Sequence, residues 1–287
     1  MSVQWYPGHM TKAREAMAEA MPSQDVVIEV LDARMPGASE NPVVTELRKQ
    51  KPCVKVLSKS DLADPDVTAA WLRYFDTVRG EPSAEHPGGR VVAIAIRSDR
   101  QGETRTRIAA LCKRLALHPG GPGKTVRAMV VGIPNVGKST LINTLMERKV
   151  AKVGDEPAVT KARQRVTLKN GMTLSDNPGI LWPKIEDEGA AYRLAFGGAI
   201  PDSALDYESV GLFGAKLLAE RYPELVRARY KLAELPASPS DLLAEIGRKR
   251  GALRSGGVID MHKAADVILH DFRSGALGKI SLEAPPA

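Results

Sequence analysis

The apolar pattern of this chain changes character once. Up to Asp176, short apolar runs of strand length alternate with stretches in which apolar residues recur every three or four positions. Asp25 to Leu31 reads as a mostly buried strand ending at Asp32, followed by strands at Cys53 to Leu57, Val91 to Ile96 and Thr125 to Val131. Between them, Met10 to Met21, a segment closing at Glu46 to Gln50, Asp66 to Val78, Glu103 to Leu117 and Ser139 to Met146 carry helical spacing. Val166 to Leu168 and Met172 to Leu174 flank Asn170-Gly171 and predict a hairpin. Alternation of this kind predicts an α/β fold, a parallel-rich sheet with helices on both faces.

Beyond Trp182-Pro183 the strand signal stops. Ala190 to Phe196, Gly211 to Tyr222, Asp241 to Arg250 and Val258 to Phe272 all read as amphipathic helices. Ser238-Pro239-Ser240-Asp241 has the form of a helix start, with a hydroxyl cap and proline in the first turn. The expected division is an α/β unit over 1–184 and a smaller all-helical unit over 185–287. Gly80 to Arg90 and His118 to Gly123 are breaker-rich connections.

Composition changes this picture in two places. The chain has 287 residues and a formal charge of +7, too modest to prove a nucleic-acid partner, but the charge is clustered. Seven basic residues face two acidic ones between Arg148 and Lys169, and eight face four between Arg221 and Arg254. Two cysteines, Cys53 and Cys112, fall in predicted apolar elements and read as free thiols of a reducing compartment, the cytoplasm. The longest apolar runs are too short to span a bilayer, and no leader is apparent before Met21, so no membrane association is expected.

The chemistry lies in three short segments. Gly132-Ile133-Pro134-Asn135-Val136-Gly137-Lys138-Ser139 fits G-x-x-x-x-G-K-[ST] and stands between a strand and a helix, as a phosphate loop must. Backbone N–H groups from Asn135 through Val136, Gly137, Lys138 and Ser139 to Thr140 would face a polyphosphate at the positive end of a helix. Lys138 would reach the β- and γ-phosphates, and the Ser139 hydroxyl would ligate Mg²⁺. Asp176-Asn177-Pro178-Gly179 follows, with Asp176 placed for Mg²⁺ and the Gly179 N–H for the γ-phosphate. Thr160 lies between the two and is expected to join the magnesium shell only with triphosphate bound. Ser58-Lys59-Ser60-Asp61, directly after a strand, supplies a carboxylate able to accept from guanine N1–H and the 2-amino group, which adenine lacks as a pair. The aliphatic stem of Lys59 would cover the ring. An aspartate after a strand is as often a helix cap, so the motif gains its meaning from its neighbours. In an ordinary GTPase the base-reading segment comes last; here it comes first, the order of a circularly permuted GTPase domain.

With these motifs, Trp5-Tyr6-Pro7-Gly8-His9-Met10, Asp32-Ala33-Arg34-Met35-Pro36 and a terminal Gly278-Lys279-Ile280-Ser281-Leu282-Glu283, nearly the whole chain resembles the circularly permuted GTPases of the YlqF type, the ribosome biogenesis GTPase A family. The resemblance implies a protein that binds GTP, hydrolyses it slowly and acts late in large ribosomal subunit assembly, with rRNA and precursor particles as partners and a monomeric state off the ribosome. It implies that the helical unit binds RNA, that Asn135 is a K⁺ ligand and that His9 positions water once the particle is engaged. The sequence departs from the family pattern at Ser58, where asparagine is usual, and at Ala158, where glycine is usual. Ala95 and Ile96 are nominated for the fifth motif, after the Val91 to Ile94 stretch.

Ile180 occupies the place where many GTPases keep a water-orienting glutamine. Slow intrinsic turnover is therefore expected, stimulated by the ribosomal particle, with catalysis carried by Lys138, Thr160 and His9. Two other readings stand beside it. One is a GTP-dependent RNA-binding scaffold with negligible hydrolysis. The other is a P-loop ATPase or kinase, against which Asp61 argues. Permuted GTPases of the small subunit carry an OB barrel or zinc cysteines, features this sequence does not show.

Overall fold

The computed structural model describes residues 6–77, 89–116, 125–147 and 164–286. A first helix, α1 (Gly8–Ala20), precedes β1 (Val26–Asp32), two short helices α2 (Pro36–Ser39) and α3 (Pro42–Arg48), β2 (Cys53–Ser58) and α4 (Pro65–Thr77). Then come β3 (Val91–Ala95), α5 (Gln101–Leu115), β4 (Arg127–Val131), α6 (Lys138–Met146), β5 (Gln164–Thr167) and β6 (Thr173–Asp176). Five helices follow: α7 (Glu188–Phe196), α8 (Tyr207–Arg221), α9 (Pro223–Tyr230), α10 (Pro239–Arg250) and α11 (Met261–Ser274).

The six strands form one sheet in the order β3-β2-β1-β4-β6-β5, and only the β5–β6 pair is antiparallel. β1 and β2 are buried along their whole length, as strands covered on both faces must be. From β1 the chain builds outward through β2 to β3, then returns to the other side of β1 with β4 and builds outward again. The direction reverses between β1 and β4. That reversal opens a crevice at the carboxyl ends of the parallel strands, the place where open α/β sheets hold ligands. The β5–β6 hairpin turns at Asn170-Gly171, where Gly171 has φ +83° and Asn170 Oδ1 accepts from the Met172 N–H at 3.0 Å.

Capping explains the helical half. Asp187, Asp206, Ser238 and Asp260 each accept a backbone N–H at the start of α7, α8, α10 and α11, and Gly251 and Gly275 close α10 and α11 in the left-handed conformation. The hydroxyl cap at Ser238 is as the sequence predicts. α8 begins four residues before the expected Gly211 because Asp206 caps it, and α9 was not anticipated: Pro223 restarts the helix after a one-residue break at Tyr222. α8 packs against α10 and α11 through small residues. A Cβ on Gly211 would lie 2.5 Å from Ala265 Cβ of α11, and on the side facing α7 one on Gly214 would lie 2.2 Å from the Phe196 ring. The buried apolar residues of sheet and helices form one continuous cluster. Among the described residues no helix is long and apolar enough to cross a membrane.

The close α8–α11 approach leads to a stability prediction. Gly211→Val should destabilise the protein by about 1–3 kcal/mol through overpacking against Ala265. Denaturant unfolding checks it, and an unchanged midpoint would mean that the two helices are not packed this closely.

Candidate functional site

β4 delivers the chain to the crevice at Gly132. Its φ is +151°, and a Cβ there would lie 2.5 Å from the Val30 carbonyl, so only glycine fits. Asn135 (φ +55°) and Gly137 (φ +100°) then turn the backbone into α6. Lys138 is buried, and its ammonium donates to the Ile133 carbonyl at 2.8 Å. Burial pushes its pKa down to about 8, against the opposing pull of the nearby Asp176 carboxylate. Ser139 is half-buried and Thr140 exposed on the first turn of the helix.

Asp176 ends β6, one strand away, and is 3 % exposed. Neither of its carboxylate oxygens has a hydrogen-bond partner, and neither has the Asn177 side-chain amide. Gly179 lies so close to the loop that a Cβ would fall 2.8 Å from Lys138 Nζ and 2.9 Å from Pro134. The next residue, Ile180, is fully buried; its N–H donates to Gly132 O at 3.4 Å, and its carbonyl accepts from Asn41 Nδ2 at 2.9 Å.

The candidate base-reading loop leaves β2 and is tied to the candidate phosphate loop by two side chains. The Ser58 hydroxyl lies within hydrogen-bond reach of Val136 O and of Leu31 O, and its one proton serves either. Lys59, at φ +56°, donates to Asn135 O and to Asp32 Oδ2, both at 2.9 Å. Serine at position 58 thus keeps a contact to the phosphate loop although it lacks the amide of asparagine. Ser60 donates through N–H and hydroxyl to Ile96 O, so Ile96 meets this loop through its backbone, while Ala95 ends β3 half-buried. Asp61 Oδ2 accepts from Ser98 Oγ at 2.9 Å, and Oδ1 is buried without a partner. Ser98 was missed by sequence reasoning; the available signal was a hydroxyl in the turn just beyond a strand end.

The Asn135 side chain donates its amide to Gly198 O at 2.9 Å, joining the phosphate loop to the turn after α7. His9 sits on the exposed first turn of α1, and its neighbour Met10 contacts the Leu181 N–H through sulfur at 3.5 Å, which brings this turn beside Ile180. Thr160, Ala158 and most of the basic run from Arg148 lie outside the described residues. Cys53 and Cys112 are both buried free thiols, with burial raising the second to about 12.

Chemically, a glycine-rich turn entering the N-terminus of α6 with one buried ammonium suits an anion. A buried carboxylate whose oxygens have no hydrogen-bond partner suits a hard cation that keeps oxygen ligands, and it suits Mg²⁺, which needs few protein ligands. Among the described residues no group of three acidic, histidine or cysteine side chains forms a metal cage.

Residues 127–201 match the family model described as 50S ribosome-binding GTPase. Ribosome biogenesis GTPase A of Bacillus cereus is 41 % identical to this chain over 99 % of it and 95 % of the relative. The chain belongs to the ribosome biogenesis GTPase A family. Among solved structures, the GDP-bound structure of TM YlqF superposes with a TM-score of 0.67 at 27 % identity, covering 94 % of this chain and 99 % of that one. GNP-bound YlqF from T. maritima gives 0.65 at 28 %, covering 96 % and 98 %. The fold is that of a circularly permuted GTPase.

In this family member the crevice carries a cost. Burial lifts Asp176 from 3.8 to about 6 in spite of Lys138, so the folded protein holds this proton more tightly than the unfolded chain. Stability from this group therefore rises as pH falls from about 6 towards 4, and above pH 6 the ionised carboxylate costs roughly 3 kcal/mol, the attraction to Lys138 already included. Asp176→Asn removes the charge while leaving a buried polar group, so the ligand-free variant should be about 1–2 kcal/mol more stable at pH 7.5. The advantage should vanish near pH 4. Urea unfolding at both pH values tests this, and a destabilised variant at pH 7.5 would refute the assigned strain.

Proposed function

We propose that this GTPase binds GTP across the carboxyl edge of its sheet, hydrolyses it slowly to GDP and phosphate, and uses the cycle to monitor assembly of the large ribosomal subunit. The observation that carries the guanine assignment is Asp61, with one oxygen held by Ser98 and the other buried and unpaired. That geometry leaves an acceptor for the N1–H and 2-amino donors of guanine. Ser58, Lys59, Ser60, Ala95 and Ile96 would complete the base site. Asn135, Val136, Gly137, Lys138, Ser139, Thr140 and the Gly179 N–H would hold the phosphates.

Lys138 stays largely protonated at neutral pH with a pKa near 8, and would exchange the Ile133 carbonyl for phosphate oxygens. Asp176 and Ser139 would hold Mg²⁺, with Thr160 joining in the triphosphate state. When bound, that ion neutralises charge developing on the β- and γ-phosphates. Asn135 is the K⁺ ligand implied by the family. Its amide is engaged with Gly198 O, so such a role falls to the oxygen end of the side chain. Ile180 is buried and cannot orient water, which supports slow intrinsic turnover. His9, near the same segment, is proposed to position water when the particle is engaged. The burial of Ile180 also supports the second reading, a GTP-dependent RNA-binding scaffold with negligible turnover. Single-turnover hydrolysis with and without large-subunit precursors, in K⁺ and Na⁺, separates the two.

Residues 185–287 are proposed as the RNA-binding unit, and the cytoplasm as the working compartment. The end of α10 supports the RNA role. Arg248 and Lys249 stand at the surface there, followed by exposed Leu253, Arg254 and Val258. Arg250 is more structural: it lies over the Tyr230 ring and 3.7 Å from Asp271.

Two outcomes are expected. Asp61→Asn should lower GTP affinity at least about tenfold, the value of one charge-assisted hydrogen bond, and narrow discrimination against ATP. Competition binding measures both, and unchanged discrimination would remove Asp61 as base reader. Arg248→Ala combined with Lys249→Ala should weaken co-sedimentation with large subunits and flatten its salt dependence by about two ions, with intrinsic hydrolysis near wild type. Pelleting like wild type at every salt concentration would show a solvated face only.

A further inference from the structure

The terminal Gly278 to Glu283 segment has no part in the chemistry above, and its contacts give it one. It leaves α11 through Gly278 (φ +105°) and runs back over the loops that follow β1 and β2. The Ile280 N–H donates to Leu62 O at 3.0 Å, and the Leu282 N–H donates to Arg34 O at 2.6 Å. Leu62 is the residue after Asp61. Arg34 makes a two-toothed ion pair with Asp32, the carboxylate that also receives Lys59. The backbone donors of the tail thus end on both arms of the base site.

Its side chains reinforce the grip. Ile280 and Leu282 are buried, the Asp64 N–H donates to Ser281 Oγ at 3.2 Å, and the Ala38 N–H donates to Glu283 Oε1 at 2.8 Å. Glu283 Oε2 lies 3.6 Å from Arg193 of α7, and Trp71 Nε1 donates to the Glu283 carbonyl at 3.4 Å. Tyr222 Oη, which accepts from the Ser281 N–H, lies 3.2 Å from Asp64 Oδ2. An extended segment without internal hydrogen bonds holds its path only through such contacts.

We propose that the C-terminal tail is a positioning strap for guanine recognition: it fixes the Arg34 and Leu62 backbones, and through them Lys59 and Asp61, so that tail docking and nucleotide binding favour one another. This rests on the guanine reading of Asp61. Because the two events share one arrangement of these loops, the coupling is reciprocal. Nucleotide tightens the strap to the same extent that the strap tightens nucleotide.

The test uses the full chain. GDP, IDP (which lacks the 2-amino group) and ADP affinities are measured for wild type, Ile280→Pro, Glu283→Ala and Glu283→Gln, and amide hydrogen exchange at Ile280 and Leu282 is followed with and without GDP. Ile280→Pro removes the donor to Leu62, and Glu283→Ala removes the acceptor for Ala38. Each should lower GDP affinity about tenfold, within the usual range of coupling, and shrink the GDP-to-IDP preference. Glu283→Gln keeps an acceptor oxygen and should restore most of both. GDP should slow exchange at the two tail amides of the wild type by a similar factor. Wild-type GDP affinity and preference in a folded Ile280→Pro variant overturn the strap, as does exchange at Ile280 and Leu282 that ignores GDP. Should a variant fail to fold, the wild-type exchange experiment decides alone. A wild type that binds ADP as well as GDP would instead sink the guanine reading, and the exchange result with either nucleotide would still decide the coupling.

Discussion

The structure turns on the carboxylate of Asp32. It is buried at the end of β1, at the strand-order reversal, and the Arg34 and Lys59 cations beside it hold its pKa well below the usual carboxylate range. A buried carboxylate is tolerable only when paired and hydrogen-bonded, so each of these partners is constrained in turn. Lys59 spans from Asp32 to the carbonyl of Asn135, fixing the loop after β2 to the loop after β4. Arg34 continues outward, donating to Phe272 O at 3.0 Å and lying 4.4 Å from the Phe272 ring centroid. One charge therefore joins the carboxyl edge of the sheet to α11.

Two buried ionic groups in this protein follow opposite logic. Lys55, between Glu29 at 2.7 Å and Glu40 at 2.9 Å, is fully paired, and its proton is held more firmly than in water. Glu29 also accepts the Asn41 N–H, and the Asn41 amide reaches the Ile180 carbonyl, so the satisfied cluster supports the segment after Gly179. Asp176 and Lys138 are the reverse: close enough to attract, yet both displaced towards their neutral forms by burial. A site that must receive charge from outside cannot satisfy itself internally. The satisfied cluster at Lys55 and the unsatisfied carboxylate at Asp176 belong together, because electrostatic groups that act on a ligand need neighbours that do not rearrange.

The legible parts of the sequence were those encoded within a few residues. The phosphate loop needs glycine where Gly132 meets Val30 O, the hairpin needs Asn170-Gly171, and Ser238 caps its helix by contact three residues on. Asp61 and Asp176 stood out as candidates because one follows an apolar strand by three residues and the other ends one. Ser98, Asn41 and the tail were not, since their meaning depends on partners supplied by the tertiary fold. Glu29 and Lys55 stand between: each is a charge inside an apolar strand, a visible anomaly, but their pairing needs the β1–β2 register, in which they are direct partners. The helix read from Gly211 stopped at Tyr222, and α9, restarted by Pro223 directly after that one-residue break, was not read from the sequence.

Permutation explains why these long-range ties are concentrated where they are. β1 and β4 are neighbours in the sheet, yet β2, β3 and α5 intervene along the chain, so the two halves of the crevice are joined by struts rather than by a short loop. Ser58 to Val136 and Lys59 to Asn135 are those struts, and both run from the early half to the late half. The helical segment then closes the same gap from outside through Gly198, Phe272 and the tail. Any displacement of α7 or α11 must disturb a bond to Asn135 or Arg34. The helical segment is thereby in mechanical contact with the loops at the carboxyl edge of the sheet through α7 and α11, and a shift that broke the Arg34–Phe272 bond would leave a buried polar group unpaired.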